Sequence, residues 1–191
     1  MEATQDLLWE QGYSATSPKD IMRRSGAGQG SMYHHFTNKQ ELAVVALECS
    51  AQSMRHDTEK LLATDGSAYE IATAYLRRQR DVLKGCRMGR MTFDADVLNT
   101  PELIEPVKRT FVWLLEALTV LFERGRDQGE FAADIDARNL ASLVVATVQG
   151  GYVLARATRD TDAFDAAVEG AAALLHKATV PLTTEVSDHS E

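Results

Sequence analysis

Apolar positions recur three and four residues apart along nearly the whole chain, and no run alternates apolar and polar residues long enough to make a strand. The pattern predicts about nine helices. The first covers 3–11, with Ala3, Leu7 and Leu8 on one face and Gly12 as its stop. Ser17-Pro18-Lys19-Asp20 reads as a capped start: Ser17 at the cap, Pro18 at the first helical position, and Asp20 reaching back to the cap. That helix runs to Ser25 and ends at Gly26. A short helix over 29–36 turns Met32 and Phe36 inward, and Thr37-Asn38-Lys39-Gln40 reads as a second capping box opening a long helix over 38–62. Beyond the loop at 64–67, helices are predicted over 68–84 (stopped by Gly85), 88–98, and 101–126 with Pro106 in its first turns. Asp134 or Asp136 caps a helix to Thr158, and Thr161 or Asp162 starts the last one, to Lys177. Three short, tightly joined helices are thus followed by longer ones, which puts a boundary near residue 47, inside the fourth.

Composition narrows the class. The chain has 191 residues, 45% hydrophobic and 25% charged, enough to bury a core without metal or disulfide staples. Cys49 and Cys86 are too few for a disulfide framework, so free thiols are expected. No secretory leader pattern opens the sequence, which implies a cytoplasmic protein. The longest apolar stretch, 140–155, is interrupted by Gln149, Gly150 and Gly151 and is short for a membrane span, so no membrane partner is expected. Enzymatic motifs are missing. Gly26, Gly28 and Gly30 follow no strand and precede no Gly-Lys-Ser/Thr, Asp94 and Asp96 are spaced onto different helix faces, and the five histidines show no metal-ligand spacing. Neither an enzyme nor a bound cofactor or metal is expected.

The second and third helices, joined by Ser25-Gly26-Ala27-Gly28, form a helix-turn-helix candidate, whose second helix would lay its N-terminal residues on base edges in the major groove. Gly28, Gly30 and Ser31 are small enough for close approach. Gln29 suits bidentate contact with adenine, Ser31 can donate or accept, and Tyr33, His34 and Lys39 can donate to phosphates. The net charge of −8 argues against nonspecific nucleic-acid binding. Residues 1–47 carry four cations against five carboxylates, so a DNA-facing surface must concentrate its cations locally.

Gly12-Tyr13, Ala15-Thr16-Ser17, Asp20-Ile21, Ser25-Gly26, Gly28, Gly30-Ser31, Tyr33-His34-His35-Phe36, Lys39 and Glu41-Leu42 together resemble the N-terminal domain of the tetracycline-repressor-like (TetR) transcriptional regulators. The resemblance covers about the first 45 residues. It implies DNA contacts from Ser17, Lys19, Gln29, Gly30, Ser31, Tyr33, His34 and Lys39, with Ile21 and Phe36 as packing residues. It also implies a linking fourth helix, a ligand-binding body and two final helices for dimerisation. Such proteins commonly carry a basic arm before the first helix, whereas this sequence opens on Met1-Glu2.

A regulator that senses a ligand needs a cavity whose filling biases the orientation of the DNA-reading heads. Tyr75, Cys86, Met88, Met91, Phe93, Phe111, Trp113, Leu114, Ala117 and Tyr152 supply the aromatic, thioether and polar-tipped side chains of a mostly apolar pocket, or of plain core. Arg87 and Arg90 either face an acidic ligand or lie in solvent. Cys86 beside Arg87 is either a reactive thiol or an inert small hydrophobe. Leu140, Leu143, Val144, Thr147 and Gly151 form one stripe, and Phe164, Val168, Ala171, Ala172 and Leu175 another, suiting a two-fold four-helix interface or an intramolecular pair.

The sequence therefore predicts an all-α protein with a helix-turn-helix head over 1–47, a ligand-binding and dimerisation body over 48–178, and a disordered tail over 179–191. The expected function is a ligand-responsive regulator, a repressor that binds a palindromic DNA operator as a homodimer and is released by a small-molecule effector. The alternative is an all-helical small-molecule or protein-binding module without competent DNA binding.

Overall fold

Ten helices and no strand form among residues 1–180, which are those the computed structural model describes; the side chains of Gln29, Ser31 and Tyr33 lie outside that description. The head comprises α1 (Glu2–Gln11), α2 (Pro18–Ser25), α3 (Gln29–His35) and the start of α4 (Lys39–Leu62). At α2 the Ser17 hydroxyl accepts from the Asp20 N–H at 3.1 Å while the Asp20 carboxylate accepts from the Ser17 N–H at 3.2 Å, which completes the predicted capping box. Ahead of α4 the predicted box gives way to a cap one residue later. Asn38 is the cap, its side-chain oxygen accepts from the Glu41 N–H at 2.9 Å, and Glu41 in turn accepts from the Thr37 N–H at 2.7 Å. The Asn38 amide oxygen thus takes the role assigned to the Thr37 hydroxyl, and Glu41 that assigned to Gln40.

The body comprises α5 (Ala68–Arg77), α6 (Arg87–Met91), α7 (Ala95–Asn99), α8 (Pro101–Asp127), α9 (Ala137–Thr158) and α10 (Asp162–Ala178). Its helix ends differ from prediction where side chains intervene. α5 stops at Arg77, seven residues early, because the Arg80 guanidinium folds back onto the carbonyls of Tyr75, Leu76 and Arg78. The single helix predicted over 88–98 is two, since Asp94 caps α7 by accepting from the Asp96 and Val97 N–H groups. α8 continues through Pro106, and Asp136, not Asp134, caps α9. The tail prediction falls mostly outside the described residues. Its first two residues are hydrogen-bonded, Val180 N–H to the Glu130 carbonyl at 2.8 Å and Thr179 in a bridge with Phe131.

Three apolar clusters result. Leu7, Ile21, Met32 and Leu42 form a small one in the head. α5, α8, α9 and α10 share a large one that includes Leu76, Leu118, Phe122, Phe131, Val148 and Phe164. Between them, Leu8, Ala46 and Leu47 meet Met88, Met91, Val97 and Val107, so α1 and α4 are packed directly on the body. By length and composition α9 would suffice to cross a bilayer. Here it lies between α8 and α10, and Ala141, Val144, Val148 and Ala155 spend its apolar content on the core.

Candidate nucleic-acid interface and cavity

Gly26, in the left-handed region at φ 69°, closes α2 and turns the chain, and Gly28 caps α3. A Cβ built at Gly28 or Gly30 would meet nothing within 4 Å. Internal packing therefore does not require their small size. What they leave open is the outer face of α3, where a duplex backbone can come close. Lys19, Gly30 and His34 are exposed on this side, and Ser17 is held by its capping bonds. Gln29, Ser31 and Tyr33 belong to the same helix, but their predicted contacts lie outside the described side chains.

The cations of this face are partly committed. Arg23 pairs with Asp20 at 2.7 Å, and Arg24 holds both carboxylate oxygens of Glu10. The Lys39 ammonium sits 3.9 Å from the centre of the Tyr13 ring, and partial burial pulls its pKa down. It therefore stands at the N-terminus of α4 in a fixed position, which suits a phosphate contact by charge and by helix dipole together.

Two sets of contacts tie the head to the body. The Ser14 N–H donates to Asp94 at 2.8 Å, and the Ser14 hydroxyl lies 2.6 Å from Asp94 and 2.9 Å from Asp96. Burial works against ionisation of Asp94, but the bonds from Ser14 together with those from the Val97 and Asp96 N–H groups hold its pKa below the ordinary value. On the other side of α1, the Trp9 indole N–H donates to the Gly85 carbonyl at 3.0 Å. Arg87 stacks 4.1 Å from the Trp9 ring centre and donates to Asp6 at 2.9 Å.

Behind that clamp opens a cavity of about 710 Å³, between α1, α4, the 78–88 segment and α9. Met54, Leu61 and Met88 give it apolar wall; Gln5, Ser50, Asp57 and Tyr152 give it polar groups. Burial pushes the Tyr152 hydroxyl up to about 12, so it stays a neutral donor. Arg78 and Arg80 form one end. The Arg78 guanidinium lies 4.6 Å from the Tyr75 ring centre and donates to the Thr58 hydroxyl at 3.1 Å.

The comparisons with known proteins agree with this layout. The profile "Bacterial regulatory proteins, tetR family" matches residues 1–46, and "Tetracyclin repressor-like, C-terminal domain" matches 66–171, more than half of the chain. The chain belongs to the TetR family. Relatives include the transcriptional regulator YxaF of Bacillus subtilis (strain 168), 24% identical with 81% of each chain covered. The transcriptional repressor ComR of Escherichia coli (strain K12) is 25% identical, covering 82% of this chain and 77% of its own. A TetR-family regulator from Agrobacterium tumefaciens superposes at a TM-score of 0.83 and 25% identity, covering 94% of this chain and 95% of that one. These relatives are transcriptional regulators, and this protein is a DNA-binding transcriptional regulator of the same family.

Within this TetR-family body the predicted pocket residues separate. Cys86, Met88 and Tyr152 line the cavity, and Tyr75 is buried behind Arg78 and Arg80. Met91 is in the junction cluster and Leu114 in the body core, while Phe111 is half-buried between the two. Ala117 is half-buried on α8, and Trp113 lines a smaller space of about 270 Å³ between α4 and α8. Phe93 points away altogether, 74% exposed in the turn between α6 and α7, because α6 ends at Met91 and Asp94 starts a new helix, which breaks the continuous helix that would have turned it inward. Sequence reasoning missed Gln5, Ser50, Asp57, Arg78 and Arg80. The arginine-rich run 77–80 was the available signal, but it was absorbed into the helix predicted over 68–84.

The predicted dimer stripes need the same correction. Val144, Phe164, Val168, Ala172 and Leu175 are buried in the chain's own core, with Leu140 packed against it. A Cβ on Gly151 would stand 2.7 Å from the Phe164 ring, so that glycine serves the α9–α10 approach. Of the ten residues, Leu143, Thr147, Gly151 and Ala171 reach the outward groove between α9 and α10. Gly150, Leu154, Ala166, Ala167, Gly170 and the 57% exposed Leu174 complete it, one or two positions round from the predicted stripes.

Proposed function

We propose that this TetR-family protein is a homodimeric repressor that binds a palindromic operator and is released from it by a small-molecule effector held in the cavity. The observation that carries the reading is the double use of residues 85–88. Cys86, Arg87 and Met88 are cavity wall, while Gly85 and Arg87 hold Trp9 and Asp6 of α1. A ligand that displaces this wall acts on the first helix of the head, and α4 carries the same displacement, since Ser50 and Met54 line the cavity while Lys39 opens the DNA face. Coupling needs only that the effector bind one head orientation better than the other.

In this reading the DNA unit ends near residue 47 within α4, and the body runs over 48–178. α3 reads base edges with Gln29, Ser31 and Tyr33, supported by Gly30 and His34, while Ser17, Lys19 and Lys39 position the backbone. A second copy covers the apolar groove of α9 and α10. Two heads spaced by a multiple of about 34–36 Å then read two half-sites. The repressor name of the ComR relative supports repression.

The test is selection of bound duplexes from a random pool at low and then moderate salt. A palindromic sequence bound by a dimer is the expected result. A folded dimer that recovers no sequence at either salt overturns the proposal in favour of a helical binding module that does not read DNA.

A further inference from the structure

The charged end of the cavity lacks a partner. Arg80 spends three donors on the carbonyls of Tyr75, Leu76 and Arg78, at the C-terminus of α5. Its Nε is buried and has no hydrogen-bond partner among the described residues. Arg78 lies alongside across Tyr75, its guanidinium 4.6 Å and that of Arg80 5.3 Å from the ring centre. The nine ion pairs found among the described residues include neither arginine. Asp57 and Glu2 also line the cavity and pair with neither.

Like charges side by side against a half-apolar wall are unfavourable unless something neutralises them, and a buried N–H without an acceptor costs a further desolvation penalty. The α5 C-terminus offsets part of the Arg80 charge through its dipole, but gives Nε no acceptor. Burial also pulls the Arg80 pKa down, and the Arg78 charge adds to that. A planar carboxylate is what a guanidinium binds with two parallel, charge-assisted bonds. The opposite side of the cavity, with Met54, Leu61 and Met88, accepts an apolar body, and about 710 Å³ is ample for one of drug-like size.

We infer that the effector is an amphipathic organic anion, its carboxylate seated on Arg78 and Arg80 and its apolar body against Met54, Leu61 and Met88. This rests on the effector-pocket reading above and names the chemical class that the pocket selects. The small shift of the Arg80 guanidinium that uncovers Nε also loosens its hold on the end of α5, which continues into the 78–88 segment that touches α1.

Calorimetric titration of the full chain, without DNA, with 4-butylbenzoate, 4-butylbenzyl alcohol and 4-butylbenzylamine separates charge from shape. The carboxylate is expected to bind about tenfold or more tighter than the alcohol, and the ammonium weakest. Arg78→Met and Arg80→Lys are each expected to shrink the carboxylate preference to about twofold. Because Arg80 also closes α5, thermal melting is recorded for both variants; if Arg80→Lys fails to fold, Arg78→Met, which gives up one side-chain bond, decides. Equal binding of acid and alcohol, preference for the amine, or unchanged carboxylate affinity in the arginine variants overturns the anion and leaves the effector pocket standing. Binding of none of the three overturns the anion and counts against the pocket, whereas the DNA selection tests the regulator independently.

Discussion

The head and the body solve the problem of holding helices together at very different scales. The head packs three short helices and the start of α4 around Leu7, Ile21, Met32 and Leu42. The body packs α5, α8, α9 and α10 around a continuous cluster from Ala68 to Leu175. A core as small as that of the head offers little stability by itself, because few apolar side chains leave water. The head instead borrows rigidity through the junction cluster and through α1, held by Trp9, Asp6 and Ser14. Its surface is left free to be polar and glycine-rich. The head is thus weakly supported from within and strongly supported from the body, and in the proposed mechanism this is the route by which the body controls it.

The comparison is broken most forcefully in the body. Phe122 is fully buried and meets Phe131 edge to face at 5.6 Å. Phe122→Ala is expected to cost about 3–5 kcal/mol and to lower the melting temperature of the whole chain. Loss of head structure alone, with the body melt unchanged, would show that the two regions do not share stability in this way. In the head, Gln29→Ala is expected to cost about 1–3 kcal/mol of operator binding and to relax preference at one base pair per half-site, with the melt unchanged. A uniform loss across all sequences would instead make Gln29 a backbone contact. Tyr33→Ala is expected to abolish specific binding in a folded dimer, read by gel mobility.

Smaller effects sharpen the junction. Trp9→Phe removes the hydrogen bond to Gly85 and is expected to cost about 0.5–1.5 kcal/mol, seen as faster amide exchange in α1 than in α8. Equal exchange in the two helices would free α1 from the clamp. The smallest effect is with pH. The Asp94 pKa is depressed in the folded chain, so its contribution is present above its ordinary value near 4 and is lost as pH falls through the lower folded value. Acidification through that window is expected to raise proteolysis between α1 and α2, and Asp94→Asn is expected to flatten the dependence. An unchanged profile in Asp94→Asn would assign the acid sensitivity elsewhere.

Much of the head was legible because its signals are local. Ser17, Pro18 and Asp20 lie within four residues, and the αL stop at Gly26 needs no distant partner. The cavity was less legible. Arg78 and Arg80 sit in a run that reads as the continuation of a helix to residue 84 until the guanidinium of Arg80 is seen to end α5. Phe93 shows the converse, an aromatic assigned to the interior that the break between α6 and α7 turned outward.

By itself the sequence determined that the chain is helical, where most helices begin, that a helix-turn-helix opens it, and which family it resembles. Periodicity and capping act over a few residues, and their chemistry is the same wherever the helix lies. Only the tertiary structure decided which apolar face of α9 and α10 is core and which is open. Both helices carry small apolar residues nearly all round, so Val144 and Leu143, adjacent in sequence, part company only when α8 packs on one side. It likewise decided that residues from α1, α4, the 78–88 segment and α9 share one cavity, because that meeting depends on how helices distant in sequence cross.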